Sequence, residues 1–239
     1  MLEGAFALLA GLPTSQILIA ASPLLEAGLE RAAELGLAAS APFDALLGAL
    51  RRAAEARGDG RVGRIVDVAE GAVCYARGRA LQYYPTLGRT KEQEAAGARA
   101  NALAEPLLRR SLALRERALG AEASETEASA AAMGYCLFHQ KNFAEAEPLL
   151  RRALAWRERT LGADSAEAIE AAAVLATALG EQDNPEDALP LFARVLEWRT
   201  TALGTAHPRT RDAHTDLQTF GGGTIFEKMF NSGGLFSGP

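Results

Sequence analysis

Three lysines, two cysteines and few aromatic residues are all that this 239-residue chain carries of those types, and each scarcity removes a class of function. The lysines are Lys91, Lys141 and Lys228; the other cations are arginines, and acids outnumber both, so the net charge is −5. No basic excess is available to neutralise phosphates, which argues against nucleic acid as a partner. Cys74 and Cys136 are too few for a disulfide framework, so a cytoplasmic or other reducing intracellular compartment is expected. Aromatic residues make up 6% and β-branched residues are sparse, whereas Ala and Leu dominate. Both are strong helix formers, and the composition predicts an all-α chain.

Targeting signals are also missing from the expectation. No positive segment precedes the first apolar run, and the first arginine is Arg31, so neither a secretory signal nor a transit peptide is read here. The stretch from Gly4 to Leu25 carries no charge and would be long enough to span a membrane. Pro13-Thr-Ser-Gln interrupts it and Pro23 follows, so the reading is a buried helix and not a membrane anchor.

What the chain has in abundance is itself. Residues 102–120, ALAEPLLRRSLALRERALG, return as 144–162, AEAEPLLRRALAWRERTLG. Ala104, Ala146 and Ala188 recur every 42 residues, as do Gly120, Gly162 and Gly204, and Leu114, Trp156 and Trp198 share a column followed by Arg115, Arg157 and Arg199. A fixed period of about 20–50 residues marks a stacked array. Each unit reads as two helices with apolar residues at steps of three and four, ended by Leu-Gly. One hairpin cannot cover its own apolar face, so neighbours must stack on it.

The unit FAEAEPLLRRALAWRERTLG resembles the tetratricopeptide repeat in its long kinesin-light-chain form, over residues 101–220. The resemblance implies a right-handed superhelical α-solenoid of antiparallel helix hairpins. It assigns repeat packing to Gly134, Ala146, Leu150, Ala153, Trp156, Ala176, Ala188, Phe192 and Trp198, the small residues letting helices nest and the tryptophans filling the wedge between repeats. His207-Pro208 matches the family's turn between repeats, where earlier units have Ala123-Ser124 and Ser165-Ala166. The family's concave groove falls on Ala131, Tyr135, Phe138 and His139, then Glu170, Ala173, Thr177 and Glu181, then Asp212 and Thr219. Tyr135, Phe138 and His139 would form an aromatic wall, and Glu170, Glu181 and Asp212 would favour a basic or amide-rich peptide. Where the light-chain family sets adjacent asparagines to grip a peptide backbone, this chain has Ala131-Ala132 and Ala173-Val174. Kinesin-type cargo binding is therefore not carried over, nor is chaperone-tail binding, and an Ala-rich groove points to helix-on-helix docking.

Upstream, residues 1–100 read as further helices: Ser15–Leu37, Pro42–Arg57 after Ser40, Arg61–Tyr84 ended by Pro85-Thr-Leu-Gly88, and Thr90–Leu119 kinked at Pro106. This region is taken as degenerate repeats or a cap on the array. Downstream, residues 221–239 form a Gly-rich tail with Gly221–Gly223 as a hinge. The tail is either disordered or a docking peptide presenting Phe226, Met229 and Phe230 on one helical face.

The inventory for chemistry is short. Cys136-x-x-His139 has metal-like spacing, but a closed zinc site needs four ligands and no second pair lies nearby, so a buried thiol beside a groove histidine is expected. Gly58-Asp-Gly-Arg-Val-Gly-Arg64 lacks the phosphate-loop pattern. Glu116, Glu145, Glu147 and Glu158 interleave with Arg109, Arg110, Arg151 and Arg157 as solvated pairs four residues apart. No catalytic, cofactor-binding or metal-binding residue is assigned and no cofactor is expected. The functional expectation is a non-catalytic adaptor binding a protein partner, as a peripheral or assembly subunit of a larger complex. The alternatives are a regulatory module of a larger signalling protein, or an enzyme whose site lies in residues 1–100.

Overall fold

The computed structural model describes residues 41–58, 60–82 and 91–231, and every element among them is an α-helix. The order is α1 (Ala41–Arg57), α2 (Gly60–Leu81), α3 (Lys91–Leu119), α4 (Ser124–His139), α5 (Phe143–Leu161), α6 (Ala166–Gly180), α7 (Pro185–Leu203) and α8 (Pro208–Asn231). The all-α expectation holds, and the packing of chain-consecutive helices is consistent with a repeat-type α-solenoid. The uncharged stretch 4–25, the helix expected over Ser15–Leu37, the break at Pro85–Gly88 and the tail beyond Asn231 lie outside the described residues. The chain forms two compact units that divide between Gln140 and Lys141.

The 42-residue period is written into the backbone as well as the side chains. Gly120, Gly162 and Gly204 all have positive φ, at 89°, 95° and 86°. At Gly162 and Gly204 ψ is 151° and 161°, which is extended and not the left-handed helical value. That corner of backbone space is closed to any residue with a Cβ, a stricter demand than an ordinary left-handed cap makes. At the other turn of each unit, Lys141 and Asp183 take φ of 62° and 55°, again 42 residues apart. Caps complete the starts: Ser165 accepts from the Ala168 amide at 3.2 Å and Asn184 from that of Asp187 at 3.4 Å.

Prolines 106, 148 and 190 share a column inside α3, α5 and α7, and each helix runs on through its proline. Proline removes one backbone donor and leaves the carbonyl four residues earlier without its partner. Here those carbonyls belong to Ala102, Ala144 and Glu186, all exposed, so water can serve them.

In the first unit α2 packs on α3, and α3 on α4. Glycines on α2 set the approach: a Cβ at Gly78 would sit 2.7 Å from Leu108 and one at Gly71 would sit 3.0 Å from Arg115 Cγ. The tight α2–α3 contact encloses a polar relay. Ser111 Oγ donates to the Gly71 carbonyl at 2.8 Å and meets Ser129 Oγ at 2.9 Å. Arg115, 7% exposed, donates to Ser129 Oγ and to the Glu125 carbonyl, and lies over the Tyr75 ring at 4.8 Å. Closer to α1, Asp67 is buried between Arg51, at 2.9 Å, and Arg117, which reaches both carboxylate oxygens. Glu70 pairs with Arg51 through one oxygen and with Arg110 through the other.

In the second unit α5 packs on α6, α6 on α7, and α7 on α8. Ala146, Ala168, Ile169, Ala172, Ala176, Ala178, Leu179 and Ala188 are fully buried. Alanine contributes little transfer energy per residue but lets backbones come close. Phe192 of α7 stacks on Phe220 of α8, centroids 5.3 Å apart and planes 6° from parallel. Phe220 lies over Gly180, the last residue of α6, where a Cβ would come within 2.4 Å of the ring. Helix α8 continues through Gly221–Gly223 to Asn231, so the triglycine expected as a hinge is helical. Gly221 lies against Leu189 in the α7–α8 packing, which holds the start of that stretch.

Gly180→Ala should therefore destabilise the chain by about 1–2 kcal/mol, the clash outweighing the helical gain of about 1 kcal/mol from losing a glycine. Denaturant unfolding checks it, and Phe220→Leu in the Gly180→Ala background should return some of the loss.

Candidate partner-binding surface

The residues expected to line a groove stand on three helices in two units. Tyr135, Phe138 and His139 are on α4 in the first unit, all half-buried. Spacings of one, three and four residues set them on consecutive turns of one helix side. Phe138 and His139 meet edge to face, centroids 5.3 Å apart at 77°. Burial pushes the His139 imidazole below its usual range, which favours the neutral ring. A neutral imidazole beside two aromatic rings makes an amphipathic patch with little charge.

Cys136, on the same helix, faces inward. Its thiol donates to the Asn101 carbonyl at 3.3 Å, and Gln140 Nε2 donates to both that carbonyl and the sulfur. Burial pushes the thiol up to about 11, so it stays protonated and unreactive. Cys136 and His139 thus take separate environments, and among the described residues no group of three or more His, Cys, Asp or Glu is placed to hold a metal ion.

In the second unit, Glu170, Thr177 and Glu181 are on α6 and its C-cap, and Asp212 is on α8. Glu170 is not the open acid that the sequence led us to expect. Its Oε1 accepts from Arg209 at 2.9 Å and from Arg199 at 3.3 Å. Arg199 is one of the buried charges of the unit, 7% exposed, so Glu170 serves first as its counter-ion. Thr177 Oγ1 donates to the Ala173 carbonyl four residues back, which leaves its oxygen able to accept. Glu181 and Asp212 are exposed and make no ion pair among the described residues.

Arginine organises both units in a way the sequence reading missed. Arg115 donates to the carbonyl of Glu125 at 2.8 Å, Arg157 to that of Glu167 at 3.1 Å, and Arg199 to that of Arg209 at 3.1 Å. Each bond spans ten residues and ties the end of one helix to the first turn of the next. The Arg115–Arg157–Arg199 column was visible in the sequence, but nothing local says that a guanidinium will reach over a turn to a backbone oxygen. The expected pairing four residues apart forms at Arg151–Glu147, and Arg109 pairs the same way with Glu105, outside the expected set. Others of that set act between helices instead: Arg110 reaches Glu70, Arg151 also reaches Asp187, and Glu158 accepts from Arg194 of α7.

Trp198, half-buried, donates from its indole to the Asp164 carbonyl at 2.8 Å, so it seals α7 against the turn before α6. The other residues assigned to repeat packing (Gly134, Ala146, Leu150, Ala153, Ala176, Ala188 and Phe192) are buried, and Trp156 is half-buried like Trp198. Phe226, Met229 and Phe230 fall in the last turns of α8, where side chains lie outside the described set.

Asp216, four residues after Asp212 on α8, is a further acid on this surface. Burial lifts its carboxyl above the usual range; Arg199 draws it down and Asp212 pushes it up further. A carboxyl whose folded value lies above its unfolded one costs stability once it ionises, and the cost is absent at low pH where both states are protonated. Asp216→Asn should therefore stabilise the chain at pH 7, with the gain fading as pH falls through the carboxylate range. Urea unfolding at both ends of that range checks it, and a gain that persisted at low pH would contradict the sign.

Among the described residues no helix is long and apolar enough to cross a membrane. No curated protein matches the chain. The sequence model of the tetratricopeptide repeat family matches residues 125–201, from the first turn of α4 to the last turn of α7. The matched segment carries Ala146 and Ala188 of the alanine column, the Gly162 turn and the complete Arg157–Glu167 tie, and it supports a tetratricopeptide repeat protein.

Proposed function

We propose that the chain is a non-catalytic scaffold or adaptor that binds a protein partner through its helical repeats, as a peripheral or assembly subunit of a larger complex. The observation that carries this reading is the family match over α4–α7, since tetratricopeptide repeats are in general protein–protein interaction modules. That family is typically non-catalytic, which agrees with the reading. The particular partner is not inherited from any subtype, because the asparagine pairs of the light-chain form are replaced by Ala131-Ala132 and Ala173-Val174.

Recognition is assigned to the exposed side of α4 in the first unit and to α6 and α8 in the second. On α4, Tyr135, Phe138 and His139 supply rigid rings with little charge, the residue types that dominate interface energetics. On α6 and α8, Thr177, Glu181 and Asp212 supply acceptors, whereas Glu170 is engaged with Arg199 and Arg209. Apolar or aromatic anchors on a partner suit the α4 face, and basic or amide donors suit the acceptors of α6 and α8.

Affinity purification of the tagged chain from its native cells should recover a stoichiometric protein partner. Tyr135→Ala with Phe138→Ala should reduce that recovery by about tenfold or more, as loss of a buried aromatic anchor does, while helicity by circular dichroism stays unchanged. Undiminished recovery by the double variant would remove α4 from the binding surface.

A further inference from the structure

How one helix seats on the hairpin before it is visible at α7. Arg194 of α7 donates to Glu158 Oε1 of α5 and to the Ala163 carbonyl in the turn that follows α5. The Trp198 indole donates to the neighbouring Asp164 carbonyl. Ile169 and Ala172, on α6 in the same hairpin, are completely buried. Shifted by 42 residues, Glu158, Ala163, Asp164, Ile169 and Ala172 become Thr200, Thr205, Ala206, Arg211 and His214, on α7, α8 and the turn between them.

A recess of about 460 Å³ lies at that shifted place, over buried Leu196 and walled by Thr200, Thr205, Arg211 and His214. No described helix covers it, and Arg211 and His214 are exposed where Ile169 and Ala172 are not. The carbonyls of Thr205 and Ala206 are the counterparts of those that take Arg194 and Trp198. They accept from no group among the described residues. Solvating the end of an array asks only for polar side chains. It does not ask for a recess and open carbonyls in the register of the preceding seat.

The charge of the lining has changed sign. Where the α7 seat sets Glu158 to take an arginine, this one has the Thr200 hydroxyl. Where that seat has Ile169, this one sets Arg211, whose guanidinium has no partner among the described residues. Asp212 is turned about 100° round α8 from Arg211 and does not line the recess. We infer that the α7–α8 recess is the docking site for an amphipathic helix of a protein partner, seated as α7 is on α5 and α6. That helix carries a carboxylate where α7 has Arg194 and an indole where α7 has Trp198. The carboxylate accepts charge-assisted hydrogen bonds from Arg211. The indole fills the recess over Leu196 and donates to the Ala206 carbonyl. This surface shares no residue with the α4, α6 and α8 faces assigned above and goes beyond that reading.

The probe is a synthetic peptide of residues 185–203 carrying Arg194→Glu, titrated into the whole chain and read by fluorescence anisotropy. A short isolated helix is marginal in water and must order as it binds, so a dissociation constant of about 0.1 mM or tighter is expected. The unmodified peptide, which brings an arginine to Arg211, should bind about tenfold more weakly. Arg211→Glu, at an exposed position, should reverse that order while circular dichroism of the chain stays unchanged. Trp198→Ala in the peptide should weaken binding by about tenfold. No binding at about 1 mM, equal affinity of the two peptides, or an order that Arg211→Glu leaves in place would each overturn the proposal. So would binding that appears only after residues 232–239 are removed, which makes the chain's own end the occupant. Self-association in the ultracentrifuge that Arg211→Glu abolishes makes the occupant a second copy and overturns it too. Tyr135→Ala with Phe138→Ala should leave the peptide's affinity unchanged, and a loss there would place the peptide on α4 instead.

Discussion

Helices in this chain come close enough to touch through backbone-sized side chains, and that closeness is the constraint on which the rest depends. Gly71 and Gly78 admit α3 onto α2, Gly180 admits the Phe220 ring onto the end of α6, and the alanines packed between α6 and α7 are buried. A larger residue at any of these points would push neighbouring helices apart and open the core between them. Close approach also makes the hydrophobic term adequate in a chain with so few aromatic side chains, because burial is nearly complete where the contacts are tight. Phe192 against Phe220 is the exception in size, placed where the second unit needs a broad surface to hold α8.

Packing alone leaves the relative height of successive helices loosely set, since small apolar faces can slide. The arginine ties supply that register. In each of three successive places a guanidinium at the end of one helix holds a carbonyl in the first turn of the next, and two of those arginines are 7% exposed. A buried guanidinium costs desolvation, and burial indeed lowers Arg115 from its ordinary value. The cost is offset by fixed partners: Ser129, the Glu125 carbonyl and the Tyr75 ring for Arg115, and Glu170 with the Arg209 carbonyl for Arg199. The same ties shape the candidate surface. Glu170 sits in a groove column but its charge is already matched from within, so the acidity of that face rests on Glu181, Asp212 and the half-buried Asp216.

Much of this was legible in the letters. The helices over 41–57, 60–81 and 91–119 fall within a few residues of where apolar spacing put them, and the glycines that close units do so at the same interval in the backbone. The candidate aromatic patch on α4 was legible too, because three and four residue steps fix a shared side before any tertiary contact exists. Pro106 lies inside α3, which runs on through it, and the carbonyl it releases belongs to exposed Ala102, where water can reach it. The triglycine misled, since glycine permits a hinge without requiring one, and α8 carries through it.

The sequence by itself determined the repeating unit, the helical class and the positions where only a small side chain fits, because these follow from spacing and from the local backbone. Which charges meet, and which cavities stay open, was decided by tertiary structure alone. Arg110 finds Glu70 across forty residues and Arg151 finds Asp187 across thirty-six, while the recess beside Arg211 exists only once α7 and α8 pack together. Long side chains have many reachable partners in a local stretch, and only the folded arrangement selects among them.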